Sequence, residues 1–600
     1  MGCCNSSLSQ QGHSDQEAPL LNVDERHATQ TLVRYTQRTQ YSSSMMNNHD
    51  EVTLDQALSA VSVLCYSNEL SMKRSASLFY LNLIKEEGFR ATRETLKPLM
   101  NLLTCDDLEV LRPATIALGN LAATDSRNKT LIVELQGLRL LTNLLINPSS
   151  DILCNVCGCF TNLSSSDENK SRIVECGALP FLVALCSFPD VRVVRNACGT
   201  LLNLSQHRPN CQHLIRAGCL TVFITLLSSD DPDTVKYASA ALSNLAVIPD
   251  YRREMLQYIH PLLTGLVHCI KGSAFALQPS LPHIQTQAAL ALLNLASDDI
   301  YQLRIANAGA IPYLLKILQQ DTPTLTLASV ALLRNLSIHP DNEAELVRGN
   351  CIPLLLGLIE KTLDQLEDHP ANVTGAIRNF FDLICHCVSC LRNISTSDQN
   401  REAFLESRGV EIFRRIFLLP PRVNIPDLVL CETAAAVAIL SLTGTVREEL
   451  LLAHTKGPAG PSAGLETSTL FLLTEMLSSG KPDLVANCAA AIGNLAPSPT
   501  CQRQLRVLWP QVSTYFLNLL LSEKSSSLHI AIWTLSEFSS KSDIKDLITS
   551  DQRIYNKIVE LSKIQPPPLA SEGDDAYYEQ YLLNEVYRFT TTIMENLATP

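Results

Sequence analysis

Apolar residues recur along most of this chain at spacings of three and four, in short runs divided by turn residues. That spacing places them on one side of a 3.6-residue helix and predicts amphipathic helices. Residues 173–185, Ile-Val-Glu-Cys-Gly-Ala-Leu-Pro-Phe-Leu-Val-Ala-Leu, show the local pattern. A short helix meets a glycine, and a second helix follows with proline in its first turn. Proline is tolerated there because the N–H it lacks would have no helical acceptor. Glycine lets the first helix end and the chain turn sharply. Gly137, Gly177, Gly218, Gly309, Gly349 and Gly409 mark equivalent breaks. A longer apolar segment comes next, introduced by turns such as Ser-Asp-Asp-Pro-Asp at 229–233.

The pattern repeats. The third segment closes as Leu-Gly-Asn-Leu-Ala at 118–122, Phe-Thr-Asn-Leu-Ser at 160–164 and Leu-Leu-Asn-Leu-Ser at 201–205. Related closures carry Asn244, Asn294, Asn335, Asn393 and Asn494, alongside Asn120, Asn162 and Asn203 of the first three. From Asn120 to Asn244 the intervals are 42, 41 and 41, and from Asn294 to Asn335 again 41. Degenerate copies place Asn82, Ser441 and Thr534 at the same position. Residues 55–560 thus hold about eleven units of ~40 residues, the size of armadillo or HEAT repeats. Three helices per unit, with this glycine and this asparagine, resemble the armadillo family. The fold class expected is all-α, a right-handed superhelical solenoid. Three stretches break the period, near 271–283, 364–379 and 455–464, and are expected on turns.

The ends differ. Residues 1–21 are Ser/Gln-rich and expected to be disordered, and 22–54 to hold a short helix and a linker. A linker at 561–575 contains Pro566, Pro567 and Pro568. In the segment 576–600, Tyr578, Leu582, Val586, Phe589, Ile593 and Leu597 form one apolar stripe, expected to be a capping helix.

Composition narrows the function. The chain has 600 residues, too many for one compact core. A net charge of −13 argues against nucleic acid as a partner. The 20 cysteines mostly lie in apolar helical runs, as small hydrophobes of a reduced protein do. No uninterrupted run of ~18 apolar residues is present.

Membrane contact is expected through lipid. The chain begins Met1-Gly2-Cys3-Cys4-Asn5-Ser6, which fits N-myristoylation of Gly2, with Cys3 and Cys4 placed for S-palmitoylation. One myristoyl chain binds a bilayer only marginally, at about 10⁴ M⁻¹, and a palmitate supplies the second signal.

Several motifs only resemble chemistry. Cys154-Asn-Val-Cys157-Gly-Cys159 and Cys385-His-Cys387-Val-Ser-Cys390 sit where other copies carry small core residues. They are expected to pack rather than to hold metal. The histidines form no cluster with a nucleophile and a carboxylate. No metal, cofactor or catalytic residue is expected, and the chain is not expected to be an enzyme.

In armadillo proteins the repeated asparagine faces a concave groove. Its amide both donates and accepts, so a ladder of Asn120, Asn162, Asn203, Asn244, Asn294, Asn335 and Asn393 suits an extended peptide backbone. Local helix capping is the alternative use. Arg334 and Arg392, each just before a ladder asparagine, are candidate anchors for an acidic partner, as is Arg195.

Finer likenesses appear in Tyr66-Ser-Asn-Glu-Leu70, Ala241-Leu-Ser-Asn-Leu-Ala-Val247, Ala296-Ser-Asp-Asp-Ile-Tyr-Gln-Leu303, Ala328-Ser-Val330 and Arg334-Asn-Leu-Ser-Ile-His-Pro340. With the Met-Gly-Cys-Cys start, they resemble the fungal vacuolar protein 8 family. The resemblance implies a palmitoylated adaptor on the cytosolic face of the vacuolar membrane. Implied partners are a myosin adaptor of vacuole inheritance, a nuclear-envelope junction protein and components of selective autophagy, with a role in vacuole fusion. This chain departs from the family in its long inserts and in Leu293, where a groove arginine is usual. An acylated armadillo adaptor at the plasma membrane, in signalling or adhesion, fits the same residues.

Overall fold

The structure is a computed structural model that describes residues 25–40, 52–85, 89–368, 377–419, 423–452, 468–564 and 575–598. Gly2, Cys3, Cys4, the insert at 455–464 and part of the insert at 364–379 lie outside them. Among the described residues the chain is helical, with no strand. None of these helices is long and apolar enough to cross a membrane. The chain divides into two compact units, Met1–Tyr258 and Ile259–Pro600.

In the first unit the helix Glu25–Gln40 packs on Leu54–Cys65. Three-helix repeats then follow, as in Asp167–Glu175, Leu179–Leu185 and Val191–Ser205. Three of the third helices start at aspartate caps. Asp107 accepts from the Glu109 and Val110 amides, Asp190 from Arg192, and Asp231 from Thr234. Apolar residues on the inner side, such as Val193, Ala197, Leu201 and Leu204, are fully buried. Where third helices of neighbouring repeats meet, the residues are small. A Cβ on Gly119 would lie 3.3 Å from Cys159 Sγ, and one on Gly199 3.4 Å from the Thr161 methyl.

The second unit keeps the plan but varies element length. Its second helices range from 8 residues in Ala310–Ile317 to 18 in Cys351–Asp368. Part of the excess expected on a turn near 364–379 therefore extends helices, since the third helix Ile377–Ile394 also has 18 residues. One repeat fuses its first two helices into Pro499–Leu520, with Pro510 inside. The final helix, Asp575–Ala598, packs on Ser525–Ser539 and Gln552–Ser562 as a third helix packs on its neighbours.

The glycine breaks are of two kinds. Gly177, Gly218 and Gly309 take φ of 80°, 82° and 83°. At the other three the left-handed residue is the glycine's neighbour: Gln136, Asn350 or Arg408, with φ of 60°, 58° and 60°. There glycine serves close approach instead. A Cβ on Gly409 would enter the Phe404 ring, and one on Gly137 would lie 2.7 Å from Ile132.

The two kinds are separable by mutation. Gly177→Ala has open space around its Cβ, so it should cost only the left-handed penalty, about 1–2 kcal/mol. Gly409→Ala should cost about 1–3 kcal/mol through overpacking, and Phe404→Leu should recover part of that loss. Chemical denaturation checks both; rescue of neither variant, or of both, would contradict the assignment.

Candidate functional site

The asparagines at the ends of the third helices reach backwards to the preceding repeat. Asn162 Nδ2 donates to the Gly119 carbonyl at 3.0 Å, and Asn203 Nδ2 to Thr161 at 3.1 Å. In the second unit Asn335 donates to Leu293 and Asn393 to Arg334, each at 3.4 Å, and Asn494 to Ala438 at 2.8 Å. For Asn162, Asn203, Asn335 and Asn393 the acceptor is the residue just before the preceding repeat's asparagine. Except at Gly119, which lies five residues before the end of its helix, that carbonyl sits in the last turn, where intrahelical donors run out. A serine two residues after the asparagine adds a second acceptor. Asn203 reaches Ser164 Oγ at 3.0 Å, Asn244 reaches Ser205 Oγ at 2.9 Å, and Asn393 reaches Ser337 Oγ at 3.0 Å.

This register corrects two expectations. Asn494 bonds to Ala438, so Ile439, not Ser441, holds the asparagine position. Ser441 instead matches the serine two residues on, and its hydroxyl bonds to Ala438 as Ser337 does to Arg334. Likewise Asn596 in the final helix donates to Ser539 Oγ at 2.9 Å, which puts Glu537, not Thr534, at the ladder position. The final helix, expected to be only a cap, ends in Asn-Leu-Ala and makes the ladder's own bond.

A second row went unnoticed in the sequence. Asn155, Asn196 and Asn487 each lie seven residues before a ladder asparagine. Asn196 donates to the Cys154 carbonyl at 3.0 Å, Asn487 to Cys431 at 3.2 Å, and Asn155 to Thr115 Oγ1 at 3.1 Å. The signal was present as Asn-x6-Asn in three repeats.

Asn162, Asn203, Asn244, Asn294 and Asn393 are half-buried, Asn120 is exposed and Asn335 is buried. Asn335 is closed on both sides, because its Oδ1 accepts from Arg334 Nε and Nη2 at 3.2 and 2.8 Å. Arg334 Nη1 also contacts His386 Nδ1 at 3.4 Å. Burial, and then the Arg334 charge, push the His386 pKa below its ordinary value. A neutral ring accepting at Nδ1 fits that position.

The arginines expected as free anchors are therefore engaged. Arg392 Nη1 pairs with Glu432 Oε2 at 2.8 Å, an oxygen that also accepts from Ser389 Oγ at 2.8 Å. Arg195 grips Asp231 with two nitrogens, one at 3.0 Å. Burial raises the Asp231 pKa, but Arg195 and Thr234 together hold it below the usual range.

The cysteine clusters are core. Cys157, Cys159, Cys387 and Cys390 are fully buried. Burial pushes the Cys159 thiol up to about 12 and the Cys385 thiol to about 11. Both are neutral thiols at physiological pH, unsuited as nucleophiles.

Comparison with known proteins agrees with this architecture. The Armadillo/beta-catenin-like repeat family matches residues 93–123, 125–165, 166–206 and 207–247. Vacuolar protein 8 of Schizosaccharomyces pombe is 40% identical over 542 residues, covering 89% of this chain and 88% of that protein. Vacuolar protein 8 of Candida albicans is 38% identical over 575 residues, covering 94% and 90%. Among solved structures, one from work on a phosphorylation switch controlling the interaction between cadherin and beta-catenin aligns with a TM-score of 0.68. It covers 90% of this chain and 100% of that one at 13% identity. An engineered protein aligns with a TM-score of 0.59 at 22% identity, over 74% and 99%. These two likenesses show the fold.

Two outcomes follow from the geometry. Asn203→Ala removes the bond across the seam to the Thr161 carbonyl, which keeps the Ser164 hydroxyl as donor, and should destabilise the first unit by roughly 0.5–1.5 kcal/mol in denaturant unfolding. The second concerns pH. His386 faces Arg334, Asp382 and Glu432. Its folded pKa lies below its unfolded one, so the unfolded state binds the proton more readily. Stability should fall as pH drops below about 6.5. Over pH 7 to 5, wild type should lose more unfolding free energy than His386→Gln; equal losses would contradict the assignment.

Proposed function

The chain belongs to the vacuolar protein 8 family of armadillo-repeat proteins, and from that premise we propose that it is a lipid-anchored adaptor. The family and the fold make it a vacuolar scaffold without catalytic function. In the proposed reading it sits on the cytosolic face of the vacuolar membrane. Myristate on Gly2 makes first contact, and palmitate on Cys3 or Cys4 makes that contact durable. The relatives' names favour the vacuole over the plasma membrane. The processes served are those of the resemblance: vacuole inheritance, nucleus–vacuole junctions, vacuole fusion and selective autophagy. Partners are a myosin adaptor, a nuclear-envelope junction protein and autophagy components.

The observation that carries the binding role is the state of the ladder amides. Asn162 uses one N–H between repeats, whereas Asn203 and Asn393 each reach both a carbonyl and a serine hydroxyl. Among the described residues nothing donates to their Oδ1 atoms. Each retains its acceptor oxygen, and Asn162 also a second N–H, for a peptide backbone. Asn120 and Asn244 occupy equivalent positions in the first unit, and Asn294 in the second. In the second unit Arg334 and Arg392 flank the ladder, already in contact with His386 and Glu432. An acidic segment would therefore exchange its carboxylates for internal partners.

Anchoring is tested by fractionation. Gly2→Ala should move the protein to the cytosol, and Cys3→Ser with Cys4→Ser should leave only weak, salt-independent association. Full membrane retention of both would end the lipid reading.

The exchange is tested by calorimetry with an acidic partner peptide. A charge-assisted bond contributes roughly 1.5–3 kcal/mol, so Arg392→Ala should weaken binding about tenfold or more. Adding Arg334→Ala should weaken it further. Glu432→Gln frees Arg392 and should tighten binding. Unchanged affinity in all three, with intact melting curves, would remove the groove from the reading.

A further inference from the structure

A second site of different chemistry lies in the second unit. The helices Ile259–Lys271, Asp299–Asn307 and Ala310–Ile317 enclose a pocket of about 570 Å³, and no third-helix residue lines it. It is therefore separate from the asparagine ladder. His260, Thr264, His268 and Lys271 line one side at spacings of three and four. Arg304 and Tyr313 stand opposite, and Lys271 Nζ lies 5.9 Å over the Tyr313 ring. Leu263 and Val267 form an apolar floor and are buried.

The charge is one-sided. The lining holds a lysine, an arginine and two histidines, with no aspartate or glutamate. Neither Lys271 nor Arg304 forms an ion pair among the described residues, although the chain carries a net charge of −13. Arg74, Arg112, Arg195 and Arg392, by contrast, all have acidic partners. Unpaired cations of this kind, around a pocket of ligand size, suit an anion such as phosphate.

The neighbouring insert indicates where that phosphate comes from. Lys271 ends its helix, and the loop that lengthens this repeat follows directly. Phe275 tucks inward at 7% exposure, while Leu277 stands 99% exposed. A bare leucine beside a cationic pocket is the arrangement of an interfacial contact. The apolar tip enters the acyl boundary while the cations meet headgroups.

We infer that this pocket takes the phosphate-bearing headgroup of an anionic lipid, with Leu277 as the adjoining membrane wedge. Preferring a lipid to a free phosphate rests in part on the membrane location proposed above. The test uses unacylated Gly2→Ala protein, so failure here is distinguishable from failure of the acyl anchor.

Flotation would compare vesicles of phosphatidylcholine alone, with phosphatidylserine, and with phosphatidylinositol 4-phosphate. The unacylated chain should float with the anionic vesicles and not with phosphatidylcholine. Lys271→Glu with Arg304→Glu should reduce the bound fraction roughly tenfold or more. The milder Lys271→Gln with Arg304→Gln should give a smaller loss with an unchanged melting curve. Leu277→Asp should weaken vesicle binding but leave calorimetric binding of soluble inositol 1,4-bisphosphate intact. No flotation of the parent chain, or equal flotation of well-folded charge variants, would overturn the site. Binding of the soluble phosphate or of a phosphopeptide without flotation would overturn the lipid assignment.

Discussion

The structure depends on one recurring hydrogen bond, from a third-helix asparagine amide to a carbonyl or serine hydroxyl of the repeat before it. A helix ends with carbonyls that have no intrahelical donor, and leaving them unmet in a half-buried seam is costly. Asparagine meets that need across the repeat boundary, as Asn335 does for Leu293 and Asn494 for Ala438. Its side chain is short, so the bond also limits how far apart two third helices can stand. Small residues then become necessary along the seam, which accounts for Gly119 against Cys159 and Gly199 against Thr161. The second row, at Asn155, Asn196 and Asn487, pins the same seam two turns earlier. Two pins per interface resist both sliding and twisting.

The same seam determines what remains for a partner. An asparagine that spends its N–H groups on its neighbour keeps its carbonyl oxygen, so the seam role leaves room for the proposed recognition role. Asn335 is the exception, closed by Arg334 on one side and Leu293 on the other. The cations follow a parallel logic. In a chain of net charge −13 a groove arginine readily finds an internal carboxylate, as Arg392 finds Glu432 and Arg195 finds Asp231. Under the proposed reading such pairs lower the affinity an acidic segment can reach, but they penalise a segment whose carboxylates are misplaced. Their contribution is to specificity more than to strength.

Much of this was legible in the sequence because the repeat is strict where the seam is strict. Asn, Leu and a small residue recur together, and the helix grammar around Gly177, Gly218 and Gly309 is sound. The misread copies are those in which the asparagine is gone. At Ser441 and Thr534 polarity suggested the match, whereas the hydrogen bonds place Ile439 and Glu537 there. A one-letter pattern carries no register once its key residue changes; the acceptor carbonyl does. Gly409 was misread for a related reason. Glycine can relieve backbone strain or make room for a ring, and sequence does not separate the two. The pairing of Arg392 with Glu432 was hidden because the partners belong to different repeats.

The irregular repeats carry what the regular ones lack. A repeat of constant length can vary its chemistry only at exposed positions, and the seam already constrains most of its third helix. Extra residues escape that constraint. The insert after Lys271 carries an exposed leucine and follows directly on an unpaired cationic wall. The extended helix Cys351–Asp368 produces the opposite, a row of Glu360, Asp364 and Glu367 gathered around Arg415. There one guanidinium neutralises part of an acidic row and fixes the long helix against its neighbour. Around Lys271 no carboxylate performs that service, so the charge there serves no structural pairing. An unpaired charge close in sequence to a bare apolar tip, in a fold that pairs Arg195 and Arg392 with carboxylates, marks where the molecule is arranged for something outside itself.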